Sequence, residues 1–127
     1  MSSSLPTVVV VDDSSSVLEF FGRIQDTMDV ELQLFASAAA AMEYLEKTAP
    51  DLLFLDIIMP EKDGLTFLQE LRRMPLHAAT VTVMISSKDY AQDRVAAKEL
   101  GAVEFVAKPM STQTIKNLIA KYTSVAS

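Results

Sequence analysis

Short apolar runs alternate along the chain with segments in which apolar residues recur at helical spacing. The first helical segment shows this spacing, since Val17, Phe21, Ile24 and Met28 repeat at i, i+4, i+7 and i+11 and share one face. Most of the apolar runs are rich in β-branched and aromatic residues, which favours strands buried on both faces. The predicted strands are residues 7–11, 32–35, 52–55, 80–85 and 104–107.

Five helices are predicted after these strands, beginning near residues 16, 37, 64, 89 and 111. Ser16 stands three residues before Glu19, the spacing of a capping box, and Ser37 and Ser111 are further predicted caps. Gly101 follows the fourth helix, as expected of a glycine that ends a helix. The alternation of strands and helices with right-handed crossovers predicts an α/β fold, a doubly wound five-stranded parallel sheet with helices on both faces.

Composition restricts the functions that such a fold serves here. The 127 residues fit one domain, and the absence of cysteine leaves no disulfide framework and no thiolate metal site. A formal net charge of −6 argues against nucleic-acid binding and against docking on anionic lipid, since both need a basic surface. No apolar run approaches the roughly 20 residues that span a bilayer, and the opening residues MSSSLPT do not resemble a secretory signal. We therefore expect a cytoplasmic protein with no nucleic-acid or membrane partner.

Acidic, basic or hydroxyl-bearing residues follow four of the five predicted strands. Asp12 and Asp13 come after the first strand, Asp56 after the third, Ser86 after the fourth and Lys108 after the fifth. Ligands of open α/β sheets bind at the carboxyl ends of the strands, so we expect these side chains to converge. Three neighbouring carboxylates repel one another unless a cation lies among them, and an all-oxygen site suits Mg²⁺ or Mn²⁺ better than zinc. The ammonium of Lys108 is a second positive charge, available to a carboxylate or to a bound anion.

Two further expectations concern connecting segments. The single histidine, His77, falls between a helix and a strand, and we expect it to be solvated in a surface loop without a functional role. The segment MPEKDG after Asp56 is expected to form a turn, in which Pro60 sets the bend and Gly64 adopts positive φ.

The motifs VVDDS, LLFLDIIMPEKDG, VMISS and GAVEFVAKPM together resemble the receiver domain of bacterial two-component response regulators. The resemblance covers about residues 6–123 and implies a single receiver domain over 1–127, with the flavodoxin-like strand order 2-1-3-4-5. It implies that Asp56 is the phosphoacceptor and that Asp12 and Asp13 hold Mg²⁺, Asp13 directly and Asp12 through water. The backbone carbonyl of Ile58 is then a further metal ligand.

The resemblance also implies roles on the other side of the site. Ser86 matches the hydroxyl that hydrogen-bonds the phosphoryl group, and Lys108 matches the lysine that pairs with the phosphoryl oxygens. The Lys108–Pro109 peptide bond matches one that is cis in the family. Phe105 occupies the position of an aromatic switch residue, although core packing explains a phenylalanine there equally well.

The implied partners are a donor and a target. The donor is a sensor histidine kinase or a histidine phosphotransfer protein. The target is a downstream protein that binds the face formed by the fourth helix, the fifth strand and the fifth helix.

Two other functions compete with a phosphorylation switch. An Mg²⁺-dependent aspartyl phosphatase similar to haloacid dehalogenases needs an acid two residues after its nucleophile, and this chain has Ile58 there. A receiver-like scaffold that is never phosphorylated has no use for clustered acids. We therefore expect a phosphoacceptor regulator that is not an enzyme. Ile58 cannot orient water and Lys88 is a poor base at neutral pH, so we expect slow loss of the phosphoryl group.

Overall fold

The computed structural model describes residues 5–123, which form a five-stranded parallel sheet and its surrounding helices. The strands are β1 (Thr7–Val11), β2 (Glu31–Phe35), β3 (Leu52–Asp56), β4 (Thr82–Ser86) and β5 (Glu104–Ala107). The helices are α1 (Ser15–Gln25), α2 (Ala38–Leu45), α3 (Gly64–Arg72), α4 (Ala91–Glu99) and α5 (Thr112–Tyr122), with a 3-10 turn at Pro75–His77. All strand pairs are parallel, and the order β2-β1-β3-β4-β5 confirms the predicted flavodoxin-like fold.

The sheet has one apolar core on each face. Successive side chains of a strand point to opposite faces, and β1 divides its valines accordingly. Val9 and Val11 belong to the core that includes buried residues of α2, α3 and α4, whereas Val8 and Val10 belong to the core that includes α1 and α5. The central strand β3 is buried at every position, so its last residue, Asp56, ends inside the protein rather than at its surface.

Helix capping agrees with the predictions except in α1. Ser37 and Ser111 cap α2 and α5, and Gly101 follows α4 with a φ of 84°. The cap of α1 is Ser14, whose Oγ accepts from the backbone N–H of Val17 at 3.4 Å, so the prediction of Ser16 as the cap is wrong. The physical reason is that Ser14 has an extended backbone, as a cap requires, whereas Ser16 already lies inside the helix.

The prediction that His77 is solvated is also wrong, since the side chain is fully buried. Its Nε2 donates to the carbonyl oxygen of Leu45 at 2.5 Å, and its Nδ1 lies 2.9 Å from the hydroxyl of Thr80. The Arg72 guanidinium donates to the carbonyls of His77 and Thr80, both at 2.9 Å. The 3-10 turn thus lies beside the end of α2, and the imidazole of His77 links that end to the segment before β4.

Candidate functional site

Three strands deliver charged residues to one edge of the sheet. Asp12 directly follows β1, Asp56 ends β3 and Lys108 directly follows β5. The backbone N–H of Asp12 donates to the carbonyl of Phe35 at 3.0 Å, and the N–H of Lys108 donates to the carbonyl of Ser86 at 2.9 Å. Sheet hydrogen bonding therefore continues past the strand ends and fixes the backbones from which these side chains project.

The three predicted acids lie together at this edge. Asp12, Asp13 and Asp56 each offer a carboxylate oxygen, and these oxygens lie within 4.8 Å of one another. Asp12 is fully buried, Asp56 is 2% exposed and Asp13 is exposed to solvent. Two carboxylates of the cluster are therefore buried, and the third is accessible to solvent.

Lys108 partly neutralises this cluster. Its Nζ lies 2.9 Å from Oδ2 of Asp12 and 3.5 Å from Oδ1 of Asp56. Both of these oxygens are buried and lack a directed hydrogen bond within the described part of the chain. The Lys108 ammonium thus pairs with two carboxylates of a cluster of three, which leaves a deficit of positive charge. Buried carboxylates are costly without full pairing, so the residues fit a hard divalent cation bound through oxygen.

The electrostatics of Asp56 reflect the same deficit. Burial raises the pKa of Asp56 from its ordinary 3.8 to about 6, with a further contribution from the negative charge of Asp12. The nearby Lys108 opposes the increase and does not cancel it. A cation among the carboxylates favours the ionised form and therefore lowers this pKa.

Ser86 and Lys108 lie on adjacent strands at the same edge. The hydroxyl of Ser86 is fully buried at the end of β4 and accepts from the backbone N–H of Lys88 at 3.0 Å. The Ser86 hydroxyl therefore still has its own proton to donate to a further acceptor at this edge. The peptide bond between Lys108 and Pro109 is cis.

Phe105 lies in the middle of β5 and is half-buried. Its ring packs against the core that includes α2, α3 and α4, and the Arg94 guanidinium lies 4.5 Å from the ring centroid. This packing accounts for an apolar residue at the position, and a switching role for Phe105 stays a prediction.

The loop between β3 and α3 differs from its prediction. Positive φ occurs at Glu61 (73°) and not at Gly64. Gly64 is required for a different reason, because a Cβ there would lie 2.1 Å from the carbonyl oxygen of Asp56. The close approach brings α3 against the end of β3 and supports the backbone of Asp56. The Ile58 side chain is 47% exposed in this loop, and the role of its carbonyl as a metal ligand stays a prediction.

Sequence reasoning overlooked two sets of residues around the site. The Asp12 carboxylate accepts from the backbone N–H of Ser14 at 2.9 Å, which orients the acid, and the Asp-x-Ser spacing is a recognisable signal for such a turn. The contact of Arg94 with Phe105 joins α4 to β5, and no local pattern indicates it.

The model of the response regulator receiver domain family matches residues 8–120. The chain belongs to this family. A relative of this receiver domain, protein-glutamate methylesterase/protein-glutamine glutaminase 2 of Carboxydothermus hydrogenoformans, is 39% identical over 114 residues, which are 86% of this chain and 31% of the relative. The chain therefore spans less than a third of that relative's length.

Solved structures of low sequence identity share the fold of this receiver domain. The chemotaxis protein CheY4 of Vibrio cholerae superimposes with a TM-score of 0.86 at 22% identity, covering 94% of this chain and 99% of CheY4. The Mn²⁺-bound response regulator Rcp1 superimposes with a TM-score of 0.82 at 21% identity, covering 95% and 97%. Among residues 5–123, no helix is long and apolar enough to cross a lipid bilayer.

Proposed function

We propose that this chain is the phosphoacceptor switch of a two-component or phosphorelay pathway, with Asp56 as the acceptor. The observation that carries the proposal is a buried carboxylate at the edge of the sheet, with Lys108 Nζ 3.5 Å from its Oδ1 and two further acids beside it. The donor is the phosphohistidine of a sensor histidine kinase or histidine phosphotransfer protein. The P–N bond of a phosphohistidine protonated on its other ring nitrogen breaks as a P–O bond to Asp56 forms, so the histidine leaves as a neutral imidazole that keeps this proton.

A divalent cation, Mg²⁺ or Mn²⁺, completes the proposed site. Asp12 and Asp13 hold it together with Asp56 and the backbone carbonyl of Ile58. The charge deficit of the cluster and its all-oxygen ligands support this assignment, and Rcp1, a protein of the same fold, binds Mn²⁺. The bound cation supplies positive charge against the oxygens of the transferring phosphoryl group.

The remaining residues act on the phosphoryl group itself. The Lys108 ammonium, which pairs with Asp12, pairs in part with the phosphoryl oxygens instead. These oxygens carry more negative charge than the Asp12 carboxylate and therefore attract the ammonium more strongly. The Ser86 hydroxyl donates to another oxygen. The resulting shift of the loop after β4 changes the face of α4, β5 and α5, and a downstream protein reads that change.

The other functions are less well supported. The methylesterase relative extends well beyond the region that it shares with this chain, so its name carries no activity to this chain. The second acid that an aspartyl phosphatase needs two residues after its nucleophile is missing here, since that position holds the apolar, exposed Ile58. We therefore propose a non-enzymatic regulator, a single receiver domain over 1–127, that acts in the cytoplasm.

The proposal is tested by incubating the protein with acetyl phosphate and Mg²⁺ and measuring its intact mass. We expect the gain of one phosphoryl group, which Asp56→Asn and EDTA each abolish. Asp26→Asn is the matched control, because Asp26 is an exposed acid at the end of α1, and it is expected to be phosphorylated like the wild type. A folded wild-type protein that binds Mg²⁺ and gains no phosphoryl group would instead indicate a metal-binding scaffold.

A further inference from the structure

A groove opens between one side of α2 and the loop that joins β3 to α3. Its volume is about 450 Å³, which is within the range of ligand pockets in proteins. Most of the lining is apolar and includes Ala36, Ala38, Ala39, Met42, Met59 and Phe67. The lining contains no residue of the proposed phosphoacceptor site, so the groove is a separate surface feature.

The apolar residues of the groove are continuous with the core of the protein. Phe67 is fully buried and Met59 is 8% exposed, whereas Met42, on α2, is half-buried. All three belong to the same core cluster. Methionine side chains are flexible and make favourable contacts with aromatic rings. The interior of the groove can therefore adjust to a large apolar side chain, and to an aromatic ring in particular.

The edge of the groove carries unpaired negative charge. Glu43, Glu46 and Glu61 line it, are exposed to solvent and form no ion pair within the described part of the chain. The lysine in the lining, Lys62, already pairs with Glu70 at 2.6 Å. The groove thus combines an apolar interior with three carboxylates that are available to an external cation.

These acids do not stabilise the fold locally. Glu43 and Glu46 are three residues apart at the C-terminal end of α2, where the helix dipole disfavours negative charge and like charges at this spacing repel. The last turn of α2 contains no basic residue that would offset either effect. Glu61 has a φ of 73°, in the left-handed region that non-glycine residues seldom adopt. Local costs of this kind are typical of residues that act in binding.

We propose that this groove is a docking site for a segment of a partner protein in which lysine or arginine residues flank one large apolar side chain. The apolar side chain fills the space between α2 and the loop after β3, and the basic residues pair with the three exposed acids. The formal net charge of −6 favours the approach of such a segment. A second copy of this chain is disfavoured as the occupant, because it would bring the same acids together.

The proposed docking site goes beyond the proposed function and does not depend on it. It lies on the α2 side of the protein and is separate from the face of α4, β5 and α5. Phosphorylation of Asp56 by acetyl phosphate therefore remains a separate readout, and either proposal can fail without the other.

The test uses two synthetic peptides as probes, acetyl-Lys-Lys-Phe-Lys-Lys-amide and the same peptide with serine in place of phenylalanine. Titration into the ¹⁵N-labelled protein, followed through the backbone amide shifts, measures both the affinity and the location of binding. We expect saturable shifts concentrated in residues 36–46 and 59–62. We expect the serine peptide to bind about tenfold more weakly, the size expected for loss of one buried apolar side chain.

Several outcomes of these titrations overturn the inference. They are an absence of saturable binding, equal affinities of the two peptides, and shifts spread evenly over the acidic surface. Shifts in the groove that depend on protein concentration without peptide would show that a second copy occupies it, and they also overturn the inference.

A pair of double variants tests the contribution of charge. Glu43→Gln with Glu46→Gln is expected to weaken binding of the phenylalanine peptide about threefold to tenfold, because two ion pairs are lost. Asp26→Asn with Asp29→Asn is the matched control, since these acids are also exposed and three residues apart but lie outside the groove. The control changes the net charge equally and is expected to bind like the wild type. Equal affinities of the two double variants overturn the inference.

A second pair of variants tests the apolar interior. Ala39→Phe places a ring at the groove and is expected to weaken binding of the phenylalanine peptide about tenfold by occupying its place. Ala40→Phe, at the next exposed position of α2 and outside the lining, is expected to bind like the wild type. Equal affinities of these two variants contradict a binding site in the groove.

Discussion

The replacement of Asp56 by asparagine is expected to stabilise the metal-free protein at alkaline pH. The folded protein holds the Asp56 proton up to about pH 6, whereas the unfolded chain releases it near pH 3.8. The unfolded state binds fewer protons between these values, so the free energy of unfolding falls as the pH rises through that window. At 1.36 kcal/mol per pH unit, the full penalty above pH 6 is about 3 kcal/mol. Asparagine keeps the shape of the side chain and removes the charge that causes the penalty.

Urea unfolding in EDTA at pH 8 and pH 5 measures this effect. We expect Asp56→Asn to raise the free energy of unfolding at pH 8, with about 3 kcal/mol as the upper limit because the new amide leaves buried N–H groups to satisfy. At pH 5 wild-type Asp56 is largely protonated and about half of the gain remains. Asp26→Asn, at an exposed position, is expected to change stability by less than about 0.5 kcal/mol at either pH. A variant less stable than wild type at pH 8, or a gain that does not change with pH, refutes the reasoning.

Mg²⁺ provides an independent check of the same charge balance. A cation that binds only the folded state stabilises it by mass action. We expect Mg²⁺ to raise the free energy of unfolding of the wild type and to have a smaller effect on Asp56→Asn, because the variant has lost one of the carboxylates. Equal stabilisation of both proteins would show that Asp56 does not contribute to cation binding.

Three other substitutions have defined expectations. Gly64→Ala places a methyl group against the carbonyl oxygen of Asp56 and is expected to lower the free energy of unfolding by about 2 kcal/mol or more and to slow phosphorylation. Gly22→Ala, with nothing within 4 Å of its Cβ, is expected to keep or raise the stability. Equal unfolding midpoints of the two variants would contradict this expectation. His77→Ala leaves a buried carbonyl at the end of α2 without its donor and is expected to lower the free energy of unfolding in urea by about 2–4 kcal/mol. Leu76→Ala, at a half-exposed neighbouring position, is expected to lower it by less than about 1 kcal/mol. Ile58→Asn adds an amide that can orient water and is expected to speed loss of the phosphoryl group, measured by intact mass after the phosphodonor is removed; an unchanged rate would show that water access is not limiting.

The fold was predictable because its signals are local and repeated. Five apolar runs separated by amphipathic segments leave few arrangements other than a parallel sheet with helices on both faces. The same pattern placed Asp12, Asp56 and Lys108 at strand ends, and strand ends of a parallel sheet meet at one edge. Convergence of these residues therefore followed from the sequence, although they lie far apart along the chain.

Two of the errors occurred where contacts with other elements override local signals, and the third where the local backbone conformation selected a different serine. His77 lies in the segment between a predicted helix and a predicted strand, yet a carbonyl at the end of α2 gives its ring a buried partner. Gly64 is a glycine because α3 approaches the backbone of Asp56, and not because of its own φ. Ser16 has the spacing of a cap, and Ser14 has the backbone conformation that a cap needs.

The sequence by itself determined the order of the elements, the identity of the acids and lysine, and the edge at which they meet. Only the tertiary structure decided how charge is balanced there, because burial and distance set the strength of each interaction. It places Asp12 and Asp56 out of water with a single ammonium between them, and it raises the pKa of Asp56. It also places Arg94 between Asp89 and Phe105, since packing of α4 beside β5 brings together side chains that no local pattern relates.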